Sequence, residues 1–338
     1  MKKTGIVTLQ DSDNYGAVLQ AFALQETLKE LGADAYELGT EQKKETPAVE
    51  GRTLPPAIRR LREEGERRHR HFEAFREQYL HILPPDGAMI RETDLFITGS
   101  DQVWNPAVTG GDPRYFLPFA SPEKRASYAA SFGEDPREET LPALAEALSG
   151  LRWLSVREES GARLIGRLLN REAETCVDPV LLLPAETWSR MAGPKLSPDP
   201  YDLLIMVQND PELAEHAKDK AARSGRRLEA VTASWYPPLG YEPWAGVCVP
   251  GWLALIRDAK SVISSSYHGL LFAMIFGRPY DAAGLGGGLE PRNARIREIL
   301  AALGQDSRGA GWKTESVVQE RRERSRKYLE RLLDEAGG

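Results

Sequence analysis

The 338-residue chain reads as an α/β protein made of two Rossmann-like, doubly wound domains facing each other across a cleft. Strand-like apolar runs alternate with helical segments of 3.6-residue period along most of its length. The alternation falls into two series, one opening at "TGIVTL" and the other at "YDLLIMVQ". Between them, "PAETWSRMAGPKLSPDP" has the proline-rich composition of a linker. These boundaries give residues 1–190 as a first domain, 200–310 as a second, and 311–338 as a C-terminal helix. The length allows each domain a core of its own.

Taken in order, "TGIVTL" is a buried strand and "QDSDNYG" a polar loop feeding a helix. That helix, "AVLQAFALQETLKELG", repeats apolar residues at Val18, Leu19, Phe22, Leu24 and Leu28 and stops at Gly32. "DAYEL" supplies the next strand. Residues 46–56 read as a loop, and 57–80 as a charged helix anchored by Ile58, Leu61, Phe72, Phe75 and Tyr79, with His69 and His71 exposed. "DLFITGSDQVWNP" is a strand entering a turn, "KRASYAASFG" a strand ending at Gly133, and "LRWLSVREESGARLIGRLL" a strand then a helix. "TCVDPVLLL" gives a strand and a proline turn. In the second series "PELAEHAKDKAARSG", "GWLALIRDAK", "GLLFAMIFG" and "RNARIREILAALG" are helices. "YDLLIMVQ", "RRLEAVTA", "SVISSS" and "RPYDAAG" are strands, and "GLGGG" is a loop.

The net charge of −6 argues against a general nucleic-acid binder. No run approaches the 18 or so apolar residues that span a bilayer, and residues 1–39 hold no secretory apolar core. Cys176 and Cys248 have neither disulfide density nor metal-ligand spacing. A cytosolic protein without structural metal is the expectation. The C-terminal "ESVVQERRERSRKYLERLLDEAGG" is amphipathic, with Leu329, Leu332 and Leu333 on one side. It either packs back on the body or, through residues 316–334, holds the protein at the inner face of a membrane.

Ligands of open α/β sheets bind beyond the carboxyl ends of strands, where helix N-termini face the crevice. His268 follows "SVISSS" and opens a buried helix at Gly269, so the free amides of the first turn and the helix dipole favour an anion there. Ser264, Ser265 and Ser266 either add hydroxyls to that cradle or cap the helix. Arg157 opens the helix "REESG", where a guanidinium can grip a carboxylate or phosphate in two-pronged fashion, or pair with Glu158 or Glu159. Asp101, in a loop with Gln102 and Trp104, either does acid–base work or stabilises its own turn. Asn14, Tyr15 and Gly16 precede the first helix and can approach a ligand through backbone amides. Neither a GxGxxG fingerprint after the first strand nor a Walker A loop is present.

In this order, "NYGAVLQAFALQETLKELG", "DLFITGSDQVWNP", "KRASYAASFG", "LSVREESG", "VDPVLLL", "AKSVISSSYHGLLFAMIFGRPY" and "NARIREIL" resemble the polysaccharide pyruvyl transferase family over most of residues 1–305. The resemblance implies a fold similar to two-domain GT-B glycosyltransferases with the active site between the domains. It also implies transfer of an enolpyruvyl-derived unit from phosphoenolpyruvate to a sugar or glycan acceptor, lipid- or nucleotide-linked or free, giving a pyruvate ketal. Phosphoenolpyruvate is the co-substrate, and neither a cofactor nor a metal is called for. The arginine of "SVRE" and the histidine of "HG" are implicated in donor binding and activity, here Arg157 and His268. Where relatives read "TDSFHG" this chain reads "SSSYHG", with Ser265 in the acidic position.

On that reading Arg157 holds one end of the donor and His268, with Ser264, Ser265, Ser266 and Gly269, holds its phosphate. Asn293 and Arg295 are further donor anchors, and Asp101 orients or deprotonates the acceptor, which Asn14, Tyr15, Gly16, Gln102 and Trp104 contact. Alanine at Arg157 or His268 is then expected to lower activity by orders of magnitude while the melting profile stays near that of the wild type. The alternatives are a nucleotide-sugar glycosyltransferase and a non-catalytic sugar- or anion-binding protein on the same fold.

Overall fold

The computed structural model describes residues 1–39, 56–208, 210–232, 244, 246–282, 290–313 and 315–336, with backbone alone for residues 56–58, 60–61 and 290–295. The loop expected at 46–56 lies almost wholly outside the described residues, and the glycine loop at 284–288 wholly so. The side chains of Ile58, Leu61, Asn293 and Arg295 are likewise outside them.

Two sheets carry the chain. In the first lobe, β1 (Lys3–Val7), β2 (Asp34–Leu38), β3 (Ile82–Leu83), β4 (Leu95–Thr98) and β5 (Arg125–Ser127) form a parallel sheet of order β3-β2-β1-β4-β5. Two short strands, β6 (Ser155–Val156) and β7 (Glu174–Thr175), extend it through the bridges Ala126–Trp153 and Ala130–Val156. Its helices are α1 (Tyr15–Glu30), α2 (Pro56–Tyr79), α3 (Gly87–Glu92), α4 (Pro106–Thr109), α5 (Leu141–Ser149) and α6 (Glu159–Leu169). A seventh helix, α7 (Ala185–Met191), occupies the stretch between the lobes.

In the second lobe, β8 (Tyr201–Met206), β9 (Arg227–Thr232), β10 (Ser261–Ser264), β11 (Pro279–Asp281) and β12 (Arg308–Ala310) take the order β9-β8-β10-β11-β12. Only β12 among them runs antiparallel to its neighbour. Around them lie α8 (Pro211–Ser224), α9 (Val249–Asp258), α10 (Tyr267–Ile275) and α11 (Glu290–Ala302), and α12 (Glu315–Glu335) ends the chain. Strand order reverses between β1 and β4 in one lobe and between β8 and β10 in the other. Asn14–Gly16, Asp101 and His268 follow β1, β4 and β10, at the crevices where such sheets bind ligands.

Local chemistry sets the two helices that matter most. The Asn14 side chain caps α1 by accepting from the amides of Gly16 at 2.9 Å and Ala17 at 3.3 Å, and Gly32 beyond its end adopts φ +87°. Ser266 caps α10 by accepting from Gly269 N at 3.2 Å. Both helices are buried nearly all round, the pattern of a helix enclosed by protein on every side.

They lie between the lobes, and one apolar core runs through both. Ile6 and Ile97 of the first sheet belong to the same cluster of buried side chains as Leu203, Ile205 and Val262 of the second. The expected separate cores are therefore joined. The proline-rich linker is also packed rather than free: Trp188 of α7 is fully buried, edge-on to Phe22 of α1 at 5.8 Å and to Phe272 of α10 at 5.0 Å.

The C-terminal helix returns to the first lobe. Tyr328 donates to Ser127 O at 2.9 Å, and Leu329, Leu332 and Leu333 are buried. The apolar face considered for membrane contact is thus covered by protein. Among the described residues no helix is long and apolar enough to cross a membrane. His69 is exposed as expected, but His71 is half-buried and its Nδ1 lies 2.8 Å from the Gly246 carbonyl of the second lobe. The strand expected over "KRASYAASFG" is regular only at Arg125–Ser127, and in "TCVDPVLLL" the strand shortens to Glu174–Thr175 with a 3₁₀ turn at Pro179–Leu181.

Candidate active site at the lobe junction

Arg157 follows β6 directly, and its side chain is fully buried. Its Nε donates to Glu158 Oε1 at 2.9 Å and its Nη1 to Asp178 Oδ2 at 2.9 Å. Asp101 Oδ1 stands 4.0 Å from Nη1, and the guanidinium carbon lies 4.3 Å from the Tyr267 ring centroid. Burial alone would lower the arginine's pKa. The Tyr267, Glu158, Asp178 and Asp101 side chains outweigh it and hold the guanidinium well above its ordinary range. It is a permanent cation facing three carboxylates. Nη2 is the one guanidinium nitrogen without a partner among the described residues.

Asp178 is the hub. Its Oδ1 accepts from Val180 N at 3.1 Å, while Oδ2 takes Arg157, accepts from Ser100 Oγ at 3.4 Å and lies 3.3 Å from His268 Nε2. The last contact lacks hydrogen-bond alignment, so it is an ion pair only when the ring is protonated. Burial pushes the Asp178 carboxyl up, but His268, Arg157 and the Val180 amide overcome it and bring the pKa down to about 2. Ser131 Oγ donates to Glu158 at 3.1 Å and so fixes the other partner of Arg157.

His268, on the first turn of α10, is buried and meets the first turn of α1. A Cβ on Gly16 would lie 1.9 Å from His268 Nδ1 and 2.4 Å from its Cγ, so only glycine admits the ring. Asp101 adopts φ +68°, a left-handed conformation for a residue with a side chain, and accepts from its own neighbour Gln102 N at 2.9 Å. The guanidinium of the first lobe and the imidazole of the second thus converge on one carboxylate oxygen.

Other expected residues fall elsewhere. The Gly16 amide is taken by Asn14, and Tyr15 donates to Val247 O at 2.6 Å while stacking on Trp252 at 5.0 Å. Trp104 is buried, donates to Tyr115 O and stacks on Phe116; Gln102 accepts from Asn105. Ser264 accepts from Ser266 N and Ser266 caps Gly269, so both hydroxyls are engaged in their own turn, and Ser265 is half-buried. Asp178 and Tyr267 went unassigned in the sequence. "VDPV" read as a turn, and the turn is real; its aspartate's approach to Arg157 and His268 is a tertiary event.

Beside this cluster a cavity of about 10 Å³, room for about one water, is lined by Arg157, Glu158, Glu159, Tyr267 and Glu298 among others. Arg157, Asp178 and His268 are all buried there.

A sequence profile of the polysaccharide pyruvyl transferase family matches residues 14–279. The chain belongs to that family. This pyruvyl transferase homologue has no significant match among curated proteins. Among solved structures it is similar to the UDP-GlcNAc 2-epimerase of Methanocaldococcus jannaschii, at 13% identity over 97% of this chain and all of that one, with a TM-score of 0.50. The Neisseria meningitidis UDP-GlcNAc 2-epimerase is 12% identical over 98% of this chain and 94% of that one, TM-score 0.49. The glycosyltransferase SnogD from Streptomyces nogalater is 13% identical over 98% and 96%, TM-score 0.39. At such identities the likeness is one of fold: two Rossmann-like lobes of the GT-B kind.

Proposed function

We propose that the chain moves the enolpyruvyl-derived unit of phosphoenolpyruvate onto two hydroxyls of a sugar or glycan, closing a pyruvate ketal and releasing phosphate. The observation that carries this is the meeting of Arg157 and His268, from opposite lobes, on Asp178. The reading is supported by the family resemblance, which implies a part in donor binding and activity for the first two.

In this reaction C3 of the donor gains a proton and positive charge develops at C2. One acceptor hydroxyl adds to C2 and loses its proton. The C2–O bond to phosphate breaks, phosphate leaves with one proton, and the second hydroxyl closes the ring at C2 as its proton is lost. His268, whose Nε2 lies 3.3 Å from Asp178 Oδ2, moves protons at the donor. The Arg157 charge offsets the negative charge gathering on the departing phosphate. Asp101, whose Oδ1 lies 4.0 Å from Arg157 Nη1, orients the acceptor or takes its proton. A donor of this size exceeds that cavity, so binding beside Arg157 requires the side chains lining it to move.

The test is phosphate release from phosphoenolpyruvate across a panel of sugar acceptors, with nucleotide diphosphate sugars as control ligands in thermal shift. Acceptor-dependent release is expected, reduced about 10²–10⁴-fold in His268→Asn with a near-native melting temperature. No release with any acceptor, together with stabilisation by nucleotide sugars alone, would overturn the proposal. Arg157→Ala is a poorer probe than the sequence suggests. It strands Asp178 and Glu158 as buried charges, at a cost of about 3–5 kcal/mol, and will lower the melting temperature as well as activity.

A further inference from the structure

Helix α6 begins beside Arg157, and its capping position is occupied by Glu158 without a side-chain cap bond, because that carboxylate serves Arg157 and Ser131. The cap comes instead from the other lobe. Glu298 of α11 accepts from Ser160 N at 2.7 Å through Oε1 and from Ser160 Oγ at 2.8 Å through Oε2. A carboxylate set with both oxygens on the amide and hydroxyl of a helix's first turn is bound as an anionic ligand would be. The same cavity is lined by Arg157, whose side chain is fully buried and whose Nη2 has no partner among the described residues.

We infer that the N-terminus of α6, with Ser160 and the spare nitrogen of Arg157, is a subsite for a carboxylate or phosphate group, and that Glu298 is its internal occupant, displaced when a ligand anion binds. The inference rests on the donor chemistry proposed above and extends it, since that donor carries both groups. It names a definite contact to break: Glu298 must leave Ser160 before the anion can sit there. Glu298 then acts as a competitor built into the opposite lobe, weakening binding of any anion that does not repay the lost contact.

Titration calorimetry with inorganic phosphate, pyruvate and phosphoenolpyruvate, on the full chain, tests this. Glu298→Ala is expected to lower the melting temperature without ligand, and to bind at least one of the three anions about tenfold more tightly than wild type. The phosphate and pyruvate arms tell which group the subsite takes. Adding Ser160→Ala to Glu298→Ala should remove most of that gain. Should Glu298→Ala fold poorly, Glu298→Gln keeps the shape, drops the charge and should show the same gain in lesser degree. Unchanged affinity for all three anions in both Glu298 variants, or a gain indifferent to Ser160→Ala, would overturn the inference. Its failure is separable from that of the proposed reaction. Gained anion affinity without acceptor-dependent phosphate release sinks the reaction alone, and release by wild type without gained affinity sinks the subsite alone.

Discussion

Two buried carboxylates in the first lobe meet opposite fates, and the difference lies in what faces them. Glu37 on β2 is fully buried with neither oxygen hydrogen-bonded among the described residues, and burial first, with nearby Asp11 adding to it, pushes its carboxyl well above the ordinary range. Asp178, equally buried, has Arg157 and His268 beside it, and its pKa falls from 3.8 to about 2. A carboxyl depressed on folding stabilises the protein above its unfolded pKa and loses that contribution as pH falls through its folded one. The window is thus between about pH 4 and pH 2. Asp178 should withdraw about 1 kcal/mol of stability by pH 3 and about 2 kcal/mol near pH 2. Asp178→Asn will be less stable at every pH, because Arg157 loses its best partner. Its stability should nonetheless fall less between pH 5 and pH 3 than that of wild type, by about 1 kcal/mol. Urea midpoints at the two pH values check this, and identical slopes would remove Asp178 from its role as the ionised hub.

Between elements, the closest approach is that of α1 and α10, where the Gly16 backbone abuts the His268 ring. In an ordinary helix Gly→Ala stabilises by about 1 kcal/mol. Here the added methyl must displace the imidazole, and overpacking of this kind costs about 1–3 kcal/mol. Gly16→Ala should therefore destabilise the wild type, yet become neutral or stabilising by up to about 1 kcal/mol once His268 is alanine. A double-mutant cycle by chemical denaturation reads that reversal of sign, and additive effects would mean that the helices do not meet at this point. The sequence made both helices legible, since Asn14 and Ser266 are cap residues ahead of apolar runs. It also made Gly16 visible as special, but for its amide rather than for the ring lying against it. Periodicity likewise gave β1, β2, β4, β8 and β9, whose residues alternate or run apolar over four to six positions. It gave little sign of the limits of β6 and β7, two residues each, because so short a strand is defined by its neighbours. Trp188 was lost in a proline-rich stretch for a similar reason: its burial depends on Phe22 and Phe272, supplied from either side.

For the molecule as a whole, the shared core changes what kind of unit the chain is. Two domains joined by a free linker would melt separately, with relative motion as their ordinary state. In this chain Trp188 bridges α1 and α10, Tyr15 of one lobe stacks on Trp252 of the other, and α12 crosses back to cover the first sheet. The Arg157, Asp178 and His268 cluster is assembled from both lobes, so any separation of the lobes means loosening a packed interface and re-forming it. The expected consequence is cooperative unfolding of the lobes together. Calorimetry should give one transition, with calorimetric and van't Hoff enthalpies in agreement. Trp188→Ala, which removes the bridging ring at a cost of about 3–5 kcal/mol, should lower that transition and split it, because each sheet keeps a face of its own outside the shared core. Wild-type protein melting in two well-separated steps would mean that the shared core does not couple the lobes, leaving coupling to a ligand bound at their junction. A phosphoenolpyruvate-dependent merging of those steps would then be the first sign of it.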